Sequence, residues 1–167
     1  QMCIRDSIMV ALWRRQYDLA QAVARKVVEL EPDFGLGLCW MAEVLCEEGD
    51  YEEAVATMQR ACRILAPGGF WGPGLLGYCY ARSGRSEEAR RVLADLETLR
   101  ERSYAQAIAL AAVHAGLDEK DRALEWLELA FEEHCGGLAW VHYDPVWDSL
   151  REEPRFQALL GKMNLAG

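Results

Sequence analysis

The sequence has few basic residues. Its 167 residues include 18 lysines and arginines against 27 aspartates and glutamates, which gives a net charge of -9. Binding to nucleic acid requires clustered lysine and arginine side chains that displace counterions from phosphates. The composition therefore argues against nucleic acid as the main ligand, and it favours a basic or neutral partner.

The chain also lacks a long apolar run. The longest weakly polar stretch, residues 104–117, is interrupted by Gln106 and His114. It is shorter than the roughly 20 residues that are needed to cross a bilayer. We therefore expect no membrane-spanning segment and no interaction with a membrane.

Catalytic and metal-binding motifs are missing too. The six cysteines are scattered without C-x-x-C spacing, so a zinc site is not indicated. Cys39 and Cys46 lie two helical turns apart, which allows a thiol or metal site, but small buried residues explain them better. We interpret the cysteines as reduced thiols of a cytoplasmic protein. We expect no metal, no cofactor and no enzymatic activity.

One motif for nucleotide binding does occur. Residues 72–77 spell G-x-G-x-x-G, which binds phosphates only where it connects a strand to a helix. Here the preceding pattern is helical, and Gly77 is explained as a small residue at a helix contact. Nucleotide binding is therefore not expected.

The first seven residues, QMCIRDS, match one reading frame of a transposon end used to prepare short-read sequencing libraries. We expect residues 1–7 to be an addition from library preparation and the natural N-terminus to be missing. The lack of a signal peptide would then carry no information about location.

What the chain does contain is a repeat. Ala20, Ala54, Ala89 and Ala123 recur at spacings of 34, 35 and 34 residues, each early in an apolar-periodic segment. A repeat of this length is typical of stacked helix pairs. We predict an all-α fold with about four helix pairs over residues 8–133, the first of them truncated.

The predicted pairs follow from apolar periodicity and from turn residues. Gly49 and Gly84 are expected to end first helices in left-handed conformation, and Asp50 and Ser86 to cap the helices that follow. The predicted helices cover residues 8–15, 17–30, 35–48, 51–65, 73–83, 103–115 and 119–133, and a further helix follows Ser86 and carries Leu99.

Two copies carry a family resemblance. Leu76-Gly77-x-x-Tyr80 followed by Gly84, Ala89 and Leu93, and Met41-Ala42-x-x-Leu45 followed by Gly49, Tyr51 and Ala54, resemble the tetratricopeptide repeat. The usual tryptophan of that repeat is absent from every copy. The resemblance implies a right-handed α-solenoid of antiparallel helix pairs whose concave face, lined by the first helix of each pair, binds a peptide or helix.

The period breaks after Phe131. Asp144-Pro145 is expected to start a brief helix and Pro154 a final one, so residues 134–167 form a C-terminal capping segment with a capping helix. Residues 144–160 also resemble the closing segment of many bacterial tetratricopeptide proteins. In those relatives the repeats often follow a serine/threonine kinase, an adenylate cyclase or a winged-helix transcription regulator. The alternative function is therefore a regulatory C-terminal tail of a truncated signalling protein.

The phase of the repeat family implies which side chains line the concave face. Our main hypothesis is a protein-interaction scaffold with a protein or peptide partner, and the alternative for its aromatic residues is internal packing. The lysine and asparagine set with which some family members hold a terminal carboxylate has no match here. The candidate partner-binding residues are Trp40, Glu43, Glu47, Trp71, Tyr78, Arg82 and Ile108.

Overall fold

The computed structural model describes residues 2–65, 72–102 and 107–165, and within these ranges it contains helices and no strands. The expected all-α class is confirmed. The α-helices are α1 (Met2–Trp13), α2 (Tyr17–Leu30), α3 (Gly35–Glu48), α4 (Tyr51–Ile64), α5 (Gly72–Arg82), α6 (Ser86–Arg102), α7 (Ala107–Gly116), α8 (Lys120–Glu132) and α9 (Pro154–Lys162). Two short 3₁₀ helices, Gly136–Trp140 and Pro145–Leu150, lie between α8 and α9.

Neighbouring helices pack against one another from α1 to α8. In addition, each odd-numbered helix contacts the next one, so that α1 packs on α3, α3 on α5 and α5 on α7. Helices α1, α3, α5 and α7 therefore form one layer, and each of them also contacts the even-numbered helices beside it. We call this the odd-helix layer.

Small residues allow the helices to approach closely. Ala20, Ala54, Ala89 and Ala123 are all completely buried, as expected for residues at helix crossings. At Gly77 of α5, an added Cβ would lie only 2.4 Å from Val113 Cγ2 of α7. A larger residue there would have to push aside the side chains of Val113 and Val92.

The helix ends agree only in part with the predictions. Gly49 and Gly84 have φ angles of 88° and 78°, which confirms the left-handed conformation at both. Asp50 precedes α4 but makes no capping hydrogen bond with its side chain. Its amide instead donates to the carbonyl of Leu45 at 2.8 Å. Ser86 is already the first residue of α6, so the prediction that it precedes the helix was wrong.

The first helix is longer at its start than predicted. It begins at Met2 and so includes residues 2–7, which had been set aside as an addition. It ends at Trp13 instead of Arg15. Arg15 has a φ angle of 58°, and this left-handed conformation stops the helix before the turn into α2.

The chain changes direction after α8. His134 adopts a φ angle of 55°, and the two 3₁₀ helices follow. The predicted helix starts at Asp144-Pro145 and at Pro154 are both confirmed. Helix α9 contacts α8. Within the predicted capping segment of residues 134–167, we call residues 135–150, which precede α9, the C-terminal segment.

Some predictions concern residues outside the described ranges. These include the site residue Trp71 and the first residues of the helix predicted over 103–115. Among the helices that the structure describes, none combines the length and the apolar character needed to cross a membrane.

Candidate functional site

The C-terminal segment lies against the odd-helix layer. Its second 3₁₀ helix contacts α7, and Arg15, in the turn after α1, donates a hydrogen bond to the Tyr143 carbonyl at 2.8 Å. The Arg15 guanidinium also forms two hydrogen bonds with the Asp148 carboxylate, of 2.5 and 3.1 Å. Trp147 and Val146 are almost completely buried. The segment thus spans from α1 to α7 and covers part of the layer.

Asp144 connects the C-terminal segment to α3. Its Oδ1 accepts a hydrogen bond from the Val146 amide at 2.9 Å, which caps the second 3₁₀ helix. Its carboxyl group also forms a hydrogen bond with that of Glu43 on α3. Two acidic side chains from distant parts of the sequence therefore meet in the interior. We call them the acid pair.

The acid pair retains a proton. Burial, reinforced by the charge of Asp144, raises the pKa of Glu43 well above its usual range. Burial also raises the pKa of Asp144 to about 6, although its hydrogen bonds with Val146 and Glu43 oppose that shift. Neutral Glu43 therefore donates its proton toward Asp144. The oxygen Glu43 Oε1 is buried and has no hydrogen-bond partner among the described residues.

An aromatic pocket adjoins the acid pair. It has a volume of about 170 Å³. The indole rings of Trp13 and Trp140 stack at 5.1 Å with an interplanar angle of 25°, which joins α1 to the C-terminal segment on one side of the pocket. The residues lining the aromatic pocket are Met9, Leu12, Trp13, Leu36, Trp40, Glu43, Gly137, Trp140, Asp144 and Trp147.

A second, more polar pocket lies further along the layer, between α5, α7 and the second 3₁₀ helix. Its volume is about 470 Å³. Tyr78 donates a hydrogen bond to Glu47 Oε1 at 2.6 Å and accepts one from Arg82, also at 2.6 Å. Burial and the neighbouring charge of Glu47 raise the pKa of Tyr78, so the phenol stays neutral and can donate to Glu47. Each of these three side chains thus has a hydrogen-bond partner within the triad.

The structure places most of the predicted site residues at one or the other of the two pockets. Trp40 and Glu43 come together at the aromatic pocket, while Glu47, Tyr78 and Arg82 come together at the polar pocket. Ile108 is 1% exposed and belongs to the core instead. Tyr78 is equally buried, so its ring packs internally.

Sequence reasoning missed several residues of the aromatic pocket. Trp13 precedes the first clear repeat, and Trp140, Asp144 and Trp147 belong to the segment that was assigned to capping. The available signal was their density, because Trp140, Tyr143 and Trp147 form an aromatic cluster outside the repeats. Large aromatic residues in an irregular segment often mark a surface that contacts another part of the chain or a partner.

We find no arrangement for metal binding in the described ranges, where no group of three or more histidine, cysteine, aspartate or glutamate side chains could hold an ion. Cys39 lies in the core, and burial raises its pKa to about 12, so it remains a neutral thiol. Thiolate, the form that binds metals, is therefore disfavoured there.

Comparison with known proteins gives no assignment. No family model matches the chain, and no curated protein matches it significantly. The function must therefore be argued from the geometry of the two pockets and of the C-terminal segment, which lines both of them.

Proposed function

We propose that the chain is a non-enzymatic protein-interaction module, built as a tetratricopeptide-like solenoid of helix pairs. In this proposal the odd-helix layer is the concave face, and a peptide or helix of a partner protein binds on it. The repeating buried alanines and the contacts between successive odd-numbered helices support such an architecture. Both are features of stacked helix pairs.

The observation that carries the proposal is the half-open aromatic pocket. Trp140 is 47% exposed, and Trp13 and Trp40 are only partly buried. Large aromatic side chains that are partly exposed around a concavity are the usual anchors of protein interfaces, since they bury a large area at low entropic cost. The triad at the polar pocket offers less to a partner, because its three side chains already hydrogen-bond to one another.

The C-terminal segment supports the same interpretation. It runs across the odd-helix layer as a short stretch of chain with two 3₁₀ helices, and it is held by side-chain hydrogen bonds such as those of Arg15. The surface is therefore suited to binding a peptide, and part of it is already occupied in this way. A partner peptide would bind beside the segment, at the aromatic pocket.

Selection of binders from a displayed library of random peptides tests this function. We expect enriched peptides that bind the intact chain and lose at least about tenfold in affinity with Trp40→Ala combined with Trp140→Ala. Trp126→Ala is the matched control, because Trp126 is a partly buried tryptophan of α8, outside the pocket. Failure to enrich any peptide, or equal loss with Trp126→Ala, would contradict the proposal.

A further inference from the structure

We propose that the aromatic pocket binds an alkylammonium group, namely the side chain of a lysine from the protein partner, with its charged head against the acid pair. This inference rests on the proposed function in one respect, because it takes the amine to belong to a protein. The recognition of the amine itself rests on the pocket alone.

The first argument is the unpartnered oxygen. Glu43 is 3% exposed, and its Oε1 has no hydrogen-bond partner among the described residues. Leaving a buried carboxyl oxygen without a donor is unfavourable, because the oxygen has lost its hydrogen bonds to water and gained none in their place. Because Glu43 also lines the pocket, a ligand that carries N–H donors would satisfy this oxygen. An ammonium group supplies up to three such donors.

The second argument is the local balance of charge. Two carboxyl groups of the acid pair meet in the interior, and the charge of Glu47 disfavours their ionisation further. Arg15 is near enough to favour ionised Asp144, but its guanidinium is bound to Asp148. The proton that the pair retains therefore keeps the two carboxyl groups from both being ionised. A ligand cation would take the place of that proton, as opposite charges stabilise buried carboxylates.

The third argument is the nature of the walls. Four tryptophans, Trp13, Trp40, Trp140 and Trp147, line the pocket. Indole faces attract cations, and they do so more strongly when the cation is removed from water. The same rings pack well against the methylene groups of a lysine side chain. A purely apolar ligand would pack against the tryptophan rings but would supply neither a hydrogen-bond donor nor a positive charge to the acid pair.

The volume fits a ligand of this size. A cavity of about 150 Å³ in another protein is large enough to hold benzene, and the aromatic pocket measures about 170 Å³. A chain of four methylene groups with an ammonium head is comparable in bulk. The overall charge of -9 also attracts basic partners over non-basic ones.

Calorimetric titration with two small probes tests the inference on the intact chain. The probes are Nα-acetyl-lysine amide and Nα-acetyl-norleucine amide, which share the four-carbon side chain and differ in the ammonium group. We expect the lysine probe to bind at least about tenfold more tightly, and to change the tryptophan fluorescence. Equal affinity of the two probes, or no binding of the lysine probe at millimolar concentration, would overturn the inference.

Substitution of Glu43 tests whether the acid pair causes the preference for the lysine probe. Glu43→Gln retains the shape of the side chain, and we expect it to remove the preference for lysine over norleucine. Glu48→Gln is the matched control, since Glu48 is an exposed residue of the same helix and tests the general effect of negative charge. Trp40→Ala provides a second variant at the pocket, and should weaken both probes. Equal effects of Glu43→Gln and Glu48→Gln would contradict specific recognition.

A third comparison separates this inference from the proposed function. Peptides of about ten residues with one central lysine are compared with the single-residue lysine probe. Tighter binding of the peptides supports both proposals. If the lysine probe binds and the peptides bind no more tightly, the amine site is retained, but its assignment to a protein partner and the interaction function are wrong.

Discussion

Helices α3 and α4 have the same length of 14 residues but different surroundings. Helix α3 buries ten of its residues, whereas α4 buries four, which lie on one stripe. The reason is that α3 contacts other helices on one side and the C-terminal segment on another, while α4 has one side exposed. Apolar periodicity therefore reports one-sided burial, and its absence in an apolar helix reports burial on several sides.

The largest effect is expected where the C-terminal segment covers the odd-helix layer. Trp147→Ala should lower the free energy of unfolding by about 3 to 5 kcal/mol, because it removes a fully buried aromatic side chain and leaves a cavity. Urea denaturation measures this. Trp126→Ala, on the outer helix α8, should cost less than half as much. Equal costs would mean that the buried contact between the C-terminal segment and the odd-helix layer contributes no more to stability than the partly exposed surface of α8.

The acid pair, which joins α3 to the C-terminal segment, should make the stability of the fold depend on pH. The pKa of Asp144 is raised to about 6 in the folded chain, above its value of about 3.9 in an unfolded chain. Between these values the folded state binds more protons, so this group's contribution to stability is favourable at low pH and is lost as the pH rises. In Asp144→Asn the contribution is absent.

The stability of Asp144→Asn relative to the unmodified chain should therefore rise between about pH 4 and pH 6, by up to roughly 3 kcal/mol. Asparagine retains an oxygen that can accept from the Val146 amide, so the cap is preserved. Unfolding in urea at several pH values measures the difference. A difference that stays constant or falls over this range would contradict the assigned protonation of the pair.

The helix crossings of α4 should tolerate little extra volume. Ala54→Leu should cost roughly 1 to 3 kcal/mol or more by overpacking, because Ala54 is completely buried. Ala56→Leu makes the same change at an exposed position of the same helix, and it should alter the thermal midpoint little. If both variants keep the midpoint of the unmodified chain, the assigned crossing between neighbouring helix pairs is wrong.

The smallest effect is expected on the exposed side of α4. Glu53 forms a salt bridge with Arg25 of α2 at 3.2 Å, and both side chains are 45% exposed. Such pairs contribute little because solvent and salt screen them. Glu53→Gln should change the free energy of unfolding by less than about 1 kcal/mol. A larger loss would show that the outer surface is more important to stability than its exposure indicates.

These comparisons also explain which features could be predicted from sequence. The buried stripe of α4, the left-handed glycines and the helix start at Asp144-Pro145 depend on nearby residues, and local patterns predicted them. The position of Glu43 depends on a segment about one hundred residues later. No local pattern on α3 shows that this acid will be covered.

The same limit applies to the candidate site. Trp40, which the repeat phase assigns to the concave face, lines the aromatic pocket, but Trp140 and Trp147 lie in a region without a repeat, where no phase can be extrapolated. Asp50 has a residue type suited to capping, yet its side chain makes no such bond. Residue type determines which contacts are available, and the tertiary arrangement determines which of them form.

The bonds between Arg15 and Asp148 join residues 133 positions apart. Most other helix contacts involve neighbours in the chain and can form as soon as both helices have been synthesised. This one can form only after Asp148 has left the ribosome. Until then the C-terminal segment does not shield Trp13 and Glu43 from solvent. A nascent or prematurely terminated chain therefore exposes an apolar surface that chaperones and proteases can recognise.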